Sequence, residues 1–410
     1  MKNVIILYSL IVGIYLGSIL AVLNSDSFPI TLFQVVLVLS IVIFAWYKII
    51  NKDFDFYTND YAFVLLIFLS IMFLSILYSS DRVSGVVNAT RFAVLIVFVG
   101  FLTNLVIERD QIIRGLIFAS LLCLVLSMIS MSESLFNPEV AIQNLLSQGT
   151  KLTRATAGGI YSDPNRFAAS LFIPIAFGFS IMNSRIENKY RVVGGVLFLL
   201  ILGGIISSYS RSGFLAVVLI CSLNVYFFKR MRPFFLLFFS AILIVLLIPN
   251  LRITMFSYLD RIIDLLTGNM DNSSSIRVLL GIAAIKMFLN SYGLGVGYDA
   301  FNVHFTKYYT VQESTGVVEP HNITYRILAE LGIQGLLIFL VILFFLFRDA
   351  YNNIRLAEDV TDKIIAITLF SSFCGYVIFY QFYGGALTDN MLMLNIGLFL
   401  VHKRFLLSKD

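Results

Sequence analysis

A small set of side chains carries the chemistry this sequence can offer. Asp163 and Arg166 belong to the run SDPNR, with Arg154 upstream of it, and Arg211 sits in SYSRSG. Arg277 precedes GLGVG, and His321 stands in EPHN with Asn322, Arg326 and Glu330 after it. All lie beside long apolar runs, where charge is costly and a charged group is functional by default. A guanidinium is a rigid fork of donors that grips pyrophosphate oxygens in pairs. An imidazole changes charge near neutral pH and can act as a general base. Structural readings stand beside these. Arg211 lies in a tight turn between two apolar runs, where an interfacial arginine can snorkel. His321 opens a helical run into the apolar stretch at 331, where a histidine can serve only the helix start.

Other patterns carry less. GLGVG (Gly293, Gly295, Gly297) lacks the strand and helix of a nucleotide-binding βαβ unit, so it reads as a flexible turn returning the chain to the membrane. Asp53 and Asp55 beside Lys52 read as a solvated charge run. Asp26, between two serines, reads as a loop residue; its alternative is the carboxylate of a metal-dependent lipid-sugar transferase. No GxSxG, HExxH, Walker loop or Cys/His cluster is present, so hydrolase and ATP-driven readings lose support, and no metal site or cofactor is expected.

The elements that must position these groups follow from composition. Of 410 residues, 59% are apolar and 13% charged, against about one quarter charged in soluble domains. With a mean hydropathy of +0.90, this excludes a soluble enzyme, a disordered chain and a disulfide-rich module. Cys123, Cys221 and Cys374 each lie inside apolar runs, which argues against disulfides. The net charge of +5 is read as setting topology, with no nucleic-acid partner.

Twelve runs are long enough to span: 4–23, 30–47, 61–78, 92–107, 115–132, 167–183, 192–209, 212–228, 233–249, 331–347, 364–380 and 389–402. They are continuous where barrel strands alternate, so they must be helices. The first, with no small-residue cleavage site after it, reads as a retained span. The expected fold is an all-α polytopic membrane protein with about 12 transmembrane helices, forming one domain over 1–410. One alternate set of loops holds 17 of the 29 Lys and Arg, and the opposite short loops hold 6. The positive-inside rule then puts both termini in the cytoplasm and 133–166, 209–212 and 250–330 outside. Within 250–330, apolar residues of 251–267 and 275–290 recur at spacings of three and four, so this large outer loop is expected to hold interfacial helices.

Four motifs in order complete the picture: YSDPNRFAASL (161–171), SYSRSGFL (208–215, Arg-x3-Leu), IRVLLGIAAIKMFLNSYGLGVGYDAF (276–301) and HNITYRILAELGIQG (321–335, His-Asn-x9-Gly-x2-Gly). Over 154–347 the chain resembles the bacterial O-antigen ligase and O-antigen polymerase superfamily. The resemblance implies a metal-independent, inverting glycosyltransferase of the bacterial inner membrane, with its active site facing the periplasm. The implied donor is a glycan on undecaprenyl pyrophosphate, and the acceptor is a saccharide or the lipid A core. By motif position the catalytic groups fall on His321, Arg211 and Arg277, with Arg154, Arg166, Asn322 and Arg326 binding substrate. His321 is the base or binds pyrophosphate as imidazolium. Polymerase and ligase share these motifs; the reading leans to polymerase, with other polysaccharide-assembly membrane proteins as partners. A transporter or flippase for lipid-linked sugars is the alternative from another class, and would show inverted repeats and midplane charges.

Overall fold

The computed structural model describes residues 2–16, 21–23, 30–53, 55–58, 61–136, 157, 160–161, 163–229, 272–305, 307–308 and 320–408. Helices dominate them. The first half holds α1 (Lys2–Leu16), α2 (Leu32–Ile50), α3 (Tyr61–Ile76), α4 (Arg82–Leu105) and α5 (Arg109–Phe136). The middle holds α6 (Pro164–Ser170), α7 (Phe172–Asn183), α8 (Asn188–Ser207) and α9 (Arg211–Phe228). The last part holds α10 (Asn272–Asn290), α11 (Phe301–Phe305), α12 (Ile323–Leu356), α13 (Val360–Phe379) and α14 (Asn390–Leu407). A short antiparallel hairpin, Ala21–Leu23 with Ile30–Thr31, joins α1 to α2.

Among the described residues nine helical stretches are long and apolar enough to cross a membrane, with α6 and α7 counted as one; α1 and α3 are shorter. The fold is therefore that of an all-α polytopic membrane protein. Eleven of the twelve expected runs overlap described helices, but the first, 4–23, is helical only to Leu16 and ends in the strand Ala21–Leu23. The twelfth, 233–249, lies outside the described residues, as does the amphipathic stretch 251–267.

Helix starts differ most from the hydropathy reading. The run expected from 92 begins at Arg82, and the one from 331 begins at Ile323. In both, a polar side chain caps the helix: Asp81 accepts from the Ser84 amide and Asn322 from the Tyr325 amide. The early turns carry Ser84, Asn88 and Arg91, or Arg326 and Glu330, which depress local hydropathy without breaking the helix.

Packing follows membrane rules. In α2, Val38, Leu39, Val42, Ile43 and Trp46 are all more than half exposed, the pattern of a face that meets lipid tails. Helices α7 and α8 approach closely at Gly178 and Gly194, where an added Cβ on Gly194 would lie 2.6 Å from the Ile181 side chain. Polar pairs link buried faces: Asn224 of α9 accepts from Ser180 of α7 at 2.6 Å and donates to Ser371 of α13 at 3.0 Å. Asn395 of α14 donates to Ser372 at 2.6 Å. Each satisfies groups that would otherwise be stranded in an apolar interior.

Candidate active site

Helix α12 is broken at Gly332 (φ 68°, ψ −163°), a backbone state open to glycine. The break frees carbonyl groups of the preceding turn, and the Gly-rich loop 293–297 takes them up. The amides of Val296 and Gly297 donate to the carbonyls of Ala329 and Glu330 at 2.9 and 3.0 Å, and the Ile333 amide donates to the Gly293 carbonyl at 3.0 Å. Main chain lies directly on main chain. A Cβ on Gly295 would sit 2.5 Å from the Glu330 carbonyl oxygen. GLGVG, expected as a flexible turn, is a tightly docked wedge. Periodicity carries no sign of this, because the docking partners lie 33 to 40 residues further along the chain.

Docking of the wedge places Asp299, at φ 64°, against α4 and the first turns of α12. Its carboxylate accepts from the Ser84 hydroxyl, from the Asn88 amide at 2.6 Å and from the Arg326 guanidinium at 2.5 Å. Arg326 also donates to Glu330 at 3.4 Å, and Arg91 donates to the Asn88 side-chain carbonyl at 3.1 Å. Glu330 is buried. Two carboxylates thus face the Arg326 guanidinium at the cavity wall.

The start of α12 is fixed from another side. The Ile323 amide donates to the Tyr380 carbonyl at 3.0 Å, the Asn322 side chain to the Gln381 carbonyl at 3.0 Å, and the Thr324 hydroxyl to the Gln381 side chain at 3.0 Å. The 380–388 connection is thereby held beside His321, which is exposed and directly precedes the capping Asn322. Tyr383 accepts from Arg166 Nε at 3.2 Å. Burial, partly opposed by the Arg166 charge, pushes the Tyr383 hydroxyl up to about 12, so it remains protonated and keeps a proton to donate.

These segments enclose a cavity of about 460 Å³ with a mostly polar lining. Arg91, Arg166, Arg326 and His321 face it, together with Asp163 and Tyr383. With His321 neutral, the lining side chains carry a formal net charge of +2, which suits an anion. A narrow apolar crevice runs beside it between α3, α4, α12, α13 and α14, from Tyr61 to Gln381. Ile323 and Leu387 line both spaces.

Of the residues singled out from sequence, Arg166, His321 and Arg326 meet in this cavity. Asn322 is a helix cap. Arg211 opens α9 next to Ser210, whose hydroxyl donates to Asn165 at 2.8 Å, between the cavity residues Asp163 and Arg166. Arg277 is exposed on α10, one turn before the cavity-lining Leu280. Arg154 and Asp26 lie outside the described residues. Asp53 bonds Lys48 at 2.7 Å in an exposed pair, as a solvated charge would. Among the described residues no three or more His, Cys, Asp or Glu side chains group as metal ligands. Sequence reasoning missed Asn88, Arg91, Asp299 and Tyr383. The signal available was the placement of Arg91 in the same outer set of basic residues as Arg166 and Arg211.

No curated protein matches the chain. A family model does, over a stretch that holds Arg211, Arg277, His321 and Arg326, and that leaves Arg91, Arg166 and Tyr383 outside it. The matched family is described as O-antigen ligase, and the match to residues 196–340 supports the chain's similarity to the O-antigen ligase and polymerase superfamily.

Proposed function

We propose that this chain is a membrane glycosyltransferase of surface polysaccharide assembly, moving a glycan from undecaprenyl pyrophosphate to a saccharide acceptor as a polymerase does. One observation carries the reading: three guanidiniums and the His321 imidazole open on a single cavity that shares walls with an apolar crevice. A polar anionic head and an apolar tail call for that pair of adjoining spaces.

The chemistry follows. Departure of a lipid pyrophosphate builds negative charge on its oxygens, and fixed guanidiniums in a partly dry site stabilise that charge as it forms. The acceptor hydroxyl loses its proton as it attacks the anomeric carbon from the face opposite the leaving group, which inverts that centre. His321 takes the proton. Arg211 and Arg277, which do not line the cavity but sit on the helices next to its residues, are assigned to the pyrophosphate together with Arg166 and Arg326. Cations of the chain do the work a metal would do, so transfer persists in a chelator.

The assigned location is the bacterial inner membrane, with both termini cytoplasmic and the cavity facing the periplasm. Its support is the agreement between charge counting and geometry. The cavity draws on residues 88–91, 163–166, 280, 298, 321–326 and 383–388, and all of these fall on the side left poor in Lys and Arg. Contact of α10 with α12 likewise supports reading 250–330 as a structured outer cap.

Deletion followed by glycan analysis tests the proposal. Single repeat units on the surface are the expected result. Long glycan stranded on undecaprenyl pyrophosphate would mark a ligase instead, and unchanged glycan would refute both. His321→Ala and Arg211→Ala should each reproduce the deletion at normal protein levels.

A further inference from the structure

The matched family stretch begins at residue 196, yet one guanidinium of the cavity comes from α4, more than a hundred residues earlier. Its position is set by a relay. Asp299 receives the Asn88 amide, and the Asn88 carbonyl in turn receives Arg91 Nη1. The same carboxylate receives Arg326 Nη2. A side-chain amide has one donor end and one acceptor end. Asp299 occupies the donor end, so the acceptor end is turned to Arg91. One carboxylate thus fixes two arginines from two helices, and both line the same cavity. Asp299 itself does not line the cavity, so its charge stands behind the guanidiniums.

We infer that Arg91 is an anion-binding residue of the site, that Asn88 is its positioning residue, and that Arg91 and Arg326 together hold a diphosphate. The inference rests on the glycosyltransferase reading for the identity of the ligand, and adds to it a binding residue supplied from outside the matched domain. Two guanidiniums anchored to one carboxylate on a rigid wedge are a pre-organised clamp, which loses little freedom when an anion arrives.

Calorimetry of the purified full-length chain in detergent, titrated with inorganic pyrophosphate, tests this. Arg91→Ala should weaken binding roughly tenfold or more, as loss of a charge-assisted contact does. Asn88→Ala should weaken it by a smaller factor, and the double variant should bind no worse than Arg91→Ala alone, because Asn88 acts through Arg91. The inference is overturned if the wild type takes up no pyrophosphate, if Arg91→Ala leaves the affinity unchanged, or if the two single losses multiply in the double variant. Unchanged surface glycan in a deletion strain would sink the glycosyltransferase reading alone, since the titration asks only whether the cavity holds the anion through this relay.

Discussion

The two ends of α12 use the same residue types to opposite purposes. Near its start, Arg326, Glu330 and Asp299 form a network beside a cavity. Near its end, Asp349 accepts from Lys403 at 2.6 Å, from Arg348 at 2.9 Å and from the Tyr61 hydroxyl at 2.8 Å. Close by in the same bundle, Asp362 meets His402 at 3.3 Å and Arg109 at 3.5 Å, while Arg109 also meets Asp359. His402 is fully buried, whereas His321 is exposed. Neither of the two cavities draws on Asp362, His402 or Lys403. A charge network closed on itself fastens helix ends together. A network whose cations also face open space has capacity left for a ligand. Counting charged residues cannot separate the two cases; asking what each charge faces does.

Breaking the open network at its imidazole should have the largest effect. His321→Ala should lower glycan transfer by about 10²–10⁴-fold, the range for loss of a general base, while thermal unfolding stays within ~0.5 kcal/mol of wild type because the side chain is exposed. An equal loss of stability and activity would erase the contrast. The closed network should respond in the reverse sense. Asp349→Ala removes a buried acceptor shared by Tyr61, Arg348 and Lys403, and should destabilise the protein by about 1–3 kcal/mol with transfer per folded molecule unchanged. Between these lies the wedge. Gly295→Ala should cost about 1–3 kcal/mol through its overlap with the Glu330 carbonyl and its positive φ (86°), and should reduce pyrophosphate binding as well, since the wedge carries Asp299. Tyr383→Phe should have the smallest effect, a few-fold to about tenfold fall in transfer from loss of one hydrogen bond donated by the Arg166 guanidinium. Because burial keeps that hydroxyl protonated up to about 12, the pH–rate profile should keep its shape in this variant; a shifted alkaline limb would give Tyr383 a direct proton-transfer role.

The helices were legible because hydropathy is additive along the chain and a bilayer fixes the length required of each run. Their polar first turns were not, since Arg82–Arg91 and Ile323–Glu330 read as loop to any average over apolar content. Arg166, His321 and Arg326 stood out because charge is scarce, and scarcity is a property of the sequence. Arg91 is as scarce, yet it read only as a topology marker beside a span. Asp299 and Tyr383 gave no local sign. The role of Asp299 exists only once the loop at 293–299 docks on α4 and α12, across separations of up to 215 residues. Tyr383 gains its role when the 380–388 connection is tied to Asn322 and Ile323. Pairings at that range are decided by the packed structure.

The break at Gly332 also settles a question of length. A continuous 34-residue helix would measure ~50 Å at 1.5 Å per residue, against a hydrocarbon layer of ~30 Å. The part after the break, residues 333–356, measures ~36 Å and is sufficient to cross with a modest tilt. With the topology proposed above, some 15 Å of helix before it is surplus to the crossing and falls at the level of the lipid headgroups. Arg326 and Glu330 are carried on that surplus. For the proposed transfer, this depth lets a sugar from the water and the head of a membrane lipid meet without either entering the oily layer.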